Sequence, residues 1–231
     1  MYRYFSNIAV LLFLSLASFA QEDSTVITAK KEEKIIAAQR QFRIGVNIST
    51  PLITAFVNDS ATRRSGYEVT LDYCLKNDSY IVLEAGFGSS KISYPELSYS
   101  SNNSYARIGI DKSMLQRLFP NDWDMLFIGV RYGIAFINRS EATFTTTDDF
   151  WGTTTGTIPS QNLLAHWAEL NAGMRVELLN NFFAGYNLRA KFLVNSKAFR
   201  ELPPAYIAGY GKAERSTVFD FNFYLCYALR W

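Results

Sequence analysis

The sequence predicts an all-β fold in which eight antiparallel strands close into an up-and-down barrel. Large apolar and polar residues alternate along eight segments between residues 41 and 231, and such alternation is typical of strands with one apolar face. Aromatic residues make up 16% of the 231 residues, including 14 Tyr and 18 Phe, which favours β-structure and membrane interfaces. Small Gly residues share the polar positions, as the narrow interior of a small barrel requires.

The first 20 residues predict a secretory signal peptide. Arg3 precedes an apolar run from residue 8 to residue 16, and Ser18-Phe19-Ala20 has the small-x-small pattern of a cleavage site. An uncleaved anchor is the alternative, but the run is shorter than the roughly 18 residues that a spanning helix needs. Residues 21–40 are charged and lack a period of two. We interpret them as a solvated periplasmic linker before a barrel of residues 41–231.

Four alternating segments make up the first half of the predicted barrel. In the first of them, Ile44 and Val46 alternate with Arg43, Gly45 and Asn47, which predicts an apolar and a polar face. The other three alternate in the same way. The four segments are QFRIGVNISTPLITAF (41–56), GYEVTLDYCLK (66–76), YIVLEAGFGSS (80–90) and SYARIGID (104–111).

Four further segments complete the predicted barrel. The last is the most regular, because every second residue from Phe219 to Trp231 is large and apolar. An even strand count places both ends of the barrel on the same side of a membrane. The four segments are MLFIGVRYGIAFI (125–137), WAELNAGMRVEL (167–178), FAGYNLRAKFLV (183–194) and VFDFNFYLCYALRW (218–231).

Charged residues on the polar parity comprise six acids and seven bases. This balance predicts that the polar face lines the lumen and that its charges pair there. Eight strands leave an interior that side chains just fill, so we expect a charge-packed lumen without an open pore for sugars. The predicted lumen charge network is Arg43, Glu68, Asp72, Glu84, Arg107, Arg131, Glu169, Arg175, Glu177, Arg189, Lys191, Asp220 and Arg230.

The lengths of the connections favour a membrane barrel over a soluble sheet, which would also alternate. Short links join the second and third segments (77–79) and the sixth and seventh (180–181), whereas the connections on the other side are longer. Short turns at one end and long loops at the other are the pattern of outer-membrane barrels. The two largest predicted loops are 138–164 and 89–104.

The residues of the last segment carry a family resemblance. The alternating Phe219, Phe221, Phe223 and Tyr227 and the terminal Trp231 are similar to the signal that the barrel-assembly machinery reads. The chain from about residue 41 onward resembles the small eight-stranded outer-membrane barrels of Gram-negative bacteria, with OmpA/OmpX-like architecture. The stretch LPPAYIAGYGKAE (202–214) resembles an element of an uncharacterised Bacteroidota barrel family of unknown function. The resemblance implies outer-membrane localisation and contact with outer-membrane lipid, but no activity, and it leaves the role of loop 195–215 open.

Both predicted loops are candidate sites for an extracellular ligand or partner. Loop 138–164 is rich in Thr and carries Asp148, Asp149 and Trp151, whereas loop 89–104 offers Tyr94 and Tyr99. An ordinary solvated loop is the alternative for each, and two adjacent carboxylates alone are weak support for a cation. The formal net charge of +2, without a cluster of bases and aromatics, predicts no nucleic-acid partner. We expect no cofactor.

Three other features allow more than one interpretation. His166, the one histidine, has outward parity, opposite to that of Glu169, which disfavours a catalytic arrangement. Cys74 and Cys226 both have inward parity, separated by one strand, so two free thiols are favoured over a bridge. The connection 112–124 has the apolar spacing of a helical turn, which would pack on the barrel rim or rest on the membrane interface.

Three functions are compatible with these patterns. The first is a non-enzymatic outer-membrane barrel that acts by structure or by surface interaction through its loops. The second is an enzyme that modifies lipid A and uses His166. The third is a narrow channel for small solutes. We expect the first.

Overall fold

A computed structural model describes residues 40–56, 62–75, 78–115, 122–148, 150, 152–195, 199 and 202–231. These residues fall within one compact unit, residues 37–231. The predicted signal peptide (1–20) and nearly all of the predicted linker (21–40) lie outside the described residues. None of the helices among the described residues is long and apolar enough to cross a membrane.

The described residues contain ten strands, eight of which close into a barrel. Each of these eight pairs antiparallel with its neighbours, and the ring is closed by the pairings β3–β4 and β1–β10. The predicted fold class, an eight-stranded antiparallel barrel, is confirmed. The barrel strands are β1 (Gln41–Asn47), β2 (Thr62–Cys74), β3 (Ser79–Ser93), β4 (Leu97–Ser113), β5 (Met125–Arg139), β8 (Gln161–Leu179), β9 (Phe182–Leu193) and β10 (Thr217–Arg230).

The large apolar side chains of the barrel strands lie on its outer surface. Ile128 and Val130 of β5 are each 56% exposed, and Phe219 of β10 is 80% exposed. Gly129 between them, Arg131 next to Val130 and the other odd positions of β5 are buried. This distribution inverts the usual order of a water-soluble protein, in which charged side chains are almost never fully buried and apolar ones are.

The first strand ends earlier than the sequence predicts. Segment 41–56 is extended only to Asn47, and helix α1 (Ser49–Phe56) follows. The Asn47 side chain accepts a hydrogen bond from the backbone N–H of Ser49 (2.9 Å), and Pro51 follows in the first turn. Asn, Ser and an early Pro are the usual signals of a helix start. The apolar spacing of residues 52–56 concealed these signals.

The predicted loop 138–164 is mostly a β-hairpin. Strands β6 (Ala142–Asp148) and β7 (Gly152–Ile158) pair with each other, and β6 also pairs with the start of β4. Opposed threonine hydroxyls lie close across the hairpin, as in Thr147 and Thr153 (3.2 Å). The many threonines of this region therefore suit a hairpin rather than an irregular loop, because β-branched residues pack well in strands. Asp149 and Trp151, which lie between β6 and β7 in the sequence, are outside the described residues.

The predicted loop 89–104 is also largely strand. Strands β3 and β4 continue past the predicted ends and are joined by only Tyr94 to Glu96. Serines and asparagines, which sequence reasoning assigns to loops, pair here in register because strand neighbours satisfy their backbone groups. Tyr99 was predicted to be available for a partner, but it is buried and its hydroxyl donates to the carbonyl of Pro203 (3.0 Å).

The two ends of the barrel differ in their connections. At one end, here called the terminal end, Gln41 pairs with Arg230, and short connections join β2 to β3 and β8 to β9. Asn181 in the second turn has φ of 66°, which Asn tolerates better than most residues. The longer connection 114–124 lies at this end too, so connection length does not alternate strictly. Its central residues, which carry the predicted helical turn, lie outside the described ranges.

Candidate functional site

The candidate site is the barrel interior. Ten of the thirteen predicted charged residues are buried there: Arg43, Glu68, Asp72, Glu84, Arg107, Arg131, Glu169, Arg175, Arg189 and Lys191. The other three are partly exposed at the ends. Glu177 pairs with Arg230 at the terminal end (2.6 Å), and Asp220 pairs with Lys191 at the opposite, loop end (2.7 Å).

Glu84 on β3 is the centre of the largest ion-pair cluster. Its carboxylate contacts Arg107 of β4 (2.9 Å), Arg131 of β5 (2.5 Å) and Arg189 of β9 (2.8 Å). Arg107 also pairs with Glu68 and with Glu169 (3.2 Å). The cluster therefore bridges the lumen from β2 to β9. Every residue of this cluster occupies an inward position of its strand. Neighbouring Gly residues leave room for the long side chains, as Gly109 does beside Arg131.

A second cluster lies nearer the terminal end. The Asp72 carboxylate contacts Arg43 (3.4 Å) and Arg175, and Arg175 lies 3.9 Å from Asp111. Asp111 also pairs with Arg131 (2.8 Å), which joins this cluster to that of Glu84. Apart from Lys191 and Arg139, the buried charged residues of the described strands thus form one continuous network across the barrel. Each charge of this network has at least one partner of opposite sign, and removing one charge leaves its buried partners with less compensation.

Two buried charged residues were missing from the predicted set. Asp111 has the same parity as Arg107 on β4, so the alternation could have found it. Arg139 lies two positions beyond the predicted end of its strand, again with inward parity. Its guanidinium donates to the carbonyls of Pro159 (2.7 Å) and Leu202 (3.2 Å). These carbonyls belong to connections, and no sequence pattern marks them as acceptors.

An apolar cluster closes the lumen at the terminal end. Trp123, from the connection 114–124, is 1% exposed and packs there. Arg43 links this cluster to the charge network, because its guanidinium lies 4.4 Å from the Tyr80 ring centroid. The cluster consists of Cys74, Tyr80, Val82, Trp123, Met125, Phe127, Phe183, Tyr224, Cys226 and Ala228.

Residues 202–215, here called the inserted segment, close the lumen at the loop end. Ile207 and Tyr210 are fully buried against Trp167 and Ala135 of the barrel wall. Several backbone carbonyls of the segment accept hydrogen bonds from barrel side chains. The acceptors and donors are Leu202 with Arg139, Pro203 with Tyr99, Tyr206 with Asn103, and Gly209 with both Arg107 and Lys191.

A tight turn shapes the tip of the inserted segment. Ile207 and Gly211 pair in a bridge, and Gly209 has φ of 79°, a conformation that favours glycine. A Cβ on Gly209 would lie 2.6 Å from a ring carbon of Tyr105, so the site also requires a residue without a side chain. Burial raises the pKa of Tyr210 to about 12, so its hydroxyl stays protonated and donates to the Arg215 carbonyl (2.6 Å).

Little space remains beside the inserted segment. A cavity of about 20 Å³ lies between the segment and the wall formed by β1, β2 and β10. This volume holds about one water molecule. The described residues therefore fill the lumen in three tiers: the apolar cluster, the charge network and the inserted segment.

The other predicted features occupy separate places. His166 lies on the outer face, with Nδ1 2.7 Å from the hydroxyl of Tyr132, whereas Glu169 lies in the lumen. The thiols of Cys74 and Cys226 are buried in the apolar cluster and are not bridged to each other. The residues of the predicted assembly signal are all exposed: Phe219, Phe221, Phe223 and Tyr227 on the outer face of β10, and Trp231 directly after it.

The comparisons with known proteins define a family and no activity. The model of the family described as "Domain of unknown function (DUF6048)" matches residues 1–230, and the chain belongs to this family. No curated protein matches the chain. Among solved structures, the chain is similar to the N-terminal β-barrel domain of Pseudomonas aeruginosa OprF. That match has a TM-score of 0.31 and 12% identity, and it covers 83% of this chain and 97% of the other.

Proposed function

We propose that the protein is an integral outer-membrane β-barrel with a closed lumen, which acts by structure and by surface interaction rather than by catalysis. One observation carries this proposal: the barrel exposes its large apolar side chains and buries its charged ones. In a bilayer this arrangement is favourable, because lipid covers the apolar wall and a closed barrel leaves no backbone group unpaired.

The ends of the barrel support an orientation. The predicted signal peptide would deliver the chain to the periplasm. The first and last strands of the barrel begin and end at the terminal end, where Gln41 pairs with Arg230, and this end would then face the periplasm. The loop end, with the β6–β7 hairpin and the inserted segment, would face outside. The exposed Phe150 at the hairpin tip (84%) would suit contact with an extracellular partner. The aromatic row that ends at Trp231 would be available to the barrel-assembly machinery.

Membrane fractionation and gel migration test the proposal. The native protein should be recovered with outer-membrane vesicles and should need detergent for extraction. Unheated samples should migrate differently from heated ones, because a closed barrel resists SDS until it is heated. Deletion of Trp231 should reduce the folded, heat-modifiable form. A mature protein that stays in solution without detergent would contradict the proposal.

Two further measurements separate the alternatives. In planar bilayers, the charge network and the inserted segment should keep conductance near the background, and steady single-channel steps would instead indicate a narrow channel. His166→Ala should leave the lipid A acylation pattern unchanged, because Glu169 lies on the other side of the wall from His166. A changed pattern would indicate an enzyme.

A further inference from the structure

Five small polar side chains form a continuous row on the outer face of the barrel near the loop end. They are direct cross-strand partners on β2, β3, β4, β5 and β8: Ser65, Ser89, Asn102, Asn138 and Asn162. The Ser65 and Ser89 hydroxyls lie 2.8 Å apart, and Asn138 donates to Asn162 (2.7 Å). A row of uncharged hydrogen-bonding groups therefore interrupts the apolar wall on one side.

A groove is lined by this row and extends from it toward the terminal end of the barrel. In the next row, Ser104 is the cross-strand partner of Phe87 on one side and Phe136 on the other. Both phenylalanines are more than 60% exposed, so they stand as walls on either side of a small residue. In the following row, Ala85 and Ala106 are cross-strand partners, and both are small and exposed. The groove has a volume of about 600 Å³.

A second depression lies directly above the polar row. It has a volume of about 380 Å³, and it shares Ser65, Ser89 and Asn102 with the groove. Arg63 and Lys91 line it and are direct cross-strand partners, both exposed. Like charges in this position repel each other. Among the described residues, no carboxylate pairs with either of them.

We propose that this face binds a phosphate-bearing lipid of the outer leaflet, a proposal that rests on the membrane location inferred above. The order of chemistry along the wall matches such a lipid: two cations for the phosphate, a polar row for the headgroup, and an apolar groove for an acyl chain. The phosphate relieves the repulsion between Arg63 and Lys91. The acyl chain of the lipid lies between Phe87 and Phe136 and points toward the membrane centre. A lipid in the leaflet at the loop end has this direction.

Native mass spectrometry tests the site with dioleoylphosphatidic acid as the probe. The heat-modifiable barrel purified in detergent should retain one molecule of the probe. It should retain little dioleoylglycerol, which has the same chains and lacks the phosphate. Arg63→Ala with Lys91→Ala should lower the affinity about tenfold or more, since two charge-assisted contacts are lost. Ser104→Phe, which fills the groove and keeps both cations, should lower it as well.

The double variant Lys212→Ala with Arg215→Ala is the matched control. It removes the same charge from exposed positions of the inserted segment, at the same end of the barrel. It should bind the probe like the unchanged protein. Equal loss in both double variants, or equal retention of dioleoylglycerol and the probe, would overturn the proposal. The proposal would also be overturned if inorganic phosphate displaced the probe and Ser104→Phe bound the probe with unchanged affinity. Binding would then depend on the phosphate alone and not on the groove. Only the heat-modifiable form is measured, so failure here is distinguishable from failure to form a membrane barrel.

Discussion

The charge network and the inserted segment both fill the lumen, but they do so with different chemistry. The network consists of side chains projected inward from strands, and its bonds join charges such as Glu84 and Arg131 (2.5 Å). The inserted segment presents its own backbone, and its carbonyls accept from barrel side chains, as Gly209 does from Lys191 (2.7 Å). The charge network is therefore built into the barrel wall. The inserted segment is a connection that could move out of the loop end of the barrel without breaking the pairing of any barrel strand.

The largest expected effect comes from the centre of the network. Glu84→Gln removes the negative charge that three guanidiniums share, and leaves Arg107, Arg131 and Arg189 with less compensation in a buried site. We expect the free energy of unfolding to fall by about 3–5 kcal/mol. Urea unfolding of the barrel in lipid vesicles, followed by Trp fluorescence, measures this loss. A loss below about 1 kcal/mol would mean that the network is not the main internal support of the barrel.

A smaller effect is expected at the inserted segment. Gly209→Ala places a methyl group against the Tyr105 ring at a positive φ, which should displace the segment and cost about 1–3 kcal/mol. The strands should stay folded while trypsin cleaves faster after Lys212 and Arg215, because the backbone around these exposed side chains is no longer held in place. The gel shift on heating should persist. Gly152→Ala is the control, because Gly152 has φ of 75° with nothing within 4 Å of the added methyl. Equal trypsin cleavage in both variants would contradict this assignment.

The same difference explains which residues the sequence could predict. Arg107 and Glu169 are recognisable from parity alone, since a strand sends alternate side chains to opposite faces and a slip of one residue would reverse them all. Asp111 was within reach of the same rule. The contact between Gly209 and Lys191 was not, because it depends on where a connection folds in three dimensions. Helix α1 and the β6–β7 hairpin were missed because Thr and apolar residues are compatible with several local structures.

The smallest effect is expected at the terminal end of the barrel, at an ion pair that is partly exposed. The salt dependence of this effect distinguishes an exposed ion pair from a buried one. Glu177 and Arg230 pair at the terminal end (2.6 Å), with their side chains 17% and 23% exposed. Glu177→Gln should cost no more than about 1 kcal/mol, because water competes for both partners.

Raising NaCl from about 0.1 M to about 1 M shortens the screening length from roughly 10 Å to 3 Å. The cost of Glu177→Gln should therefore shrink, whereas the cost of Glu84→Gln should hardly change, because neither water nor salt reaches Glu84. Parallel urea titrations at both salt concentrations measure the two differences. If the cost of Glu84→Gln fell with salt as well, ions would have access to the middle of the lumen, and the inserted segment would not close the mouth.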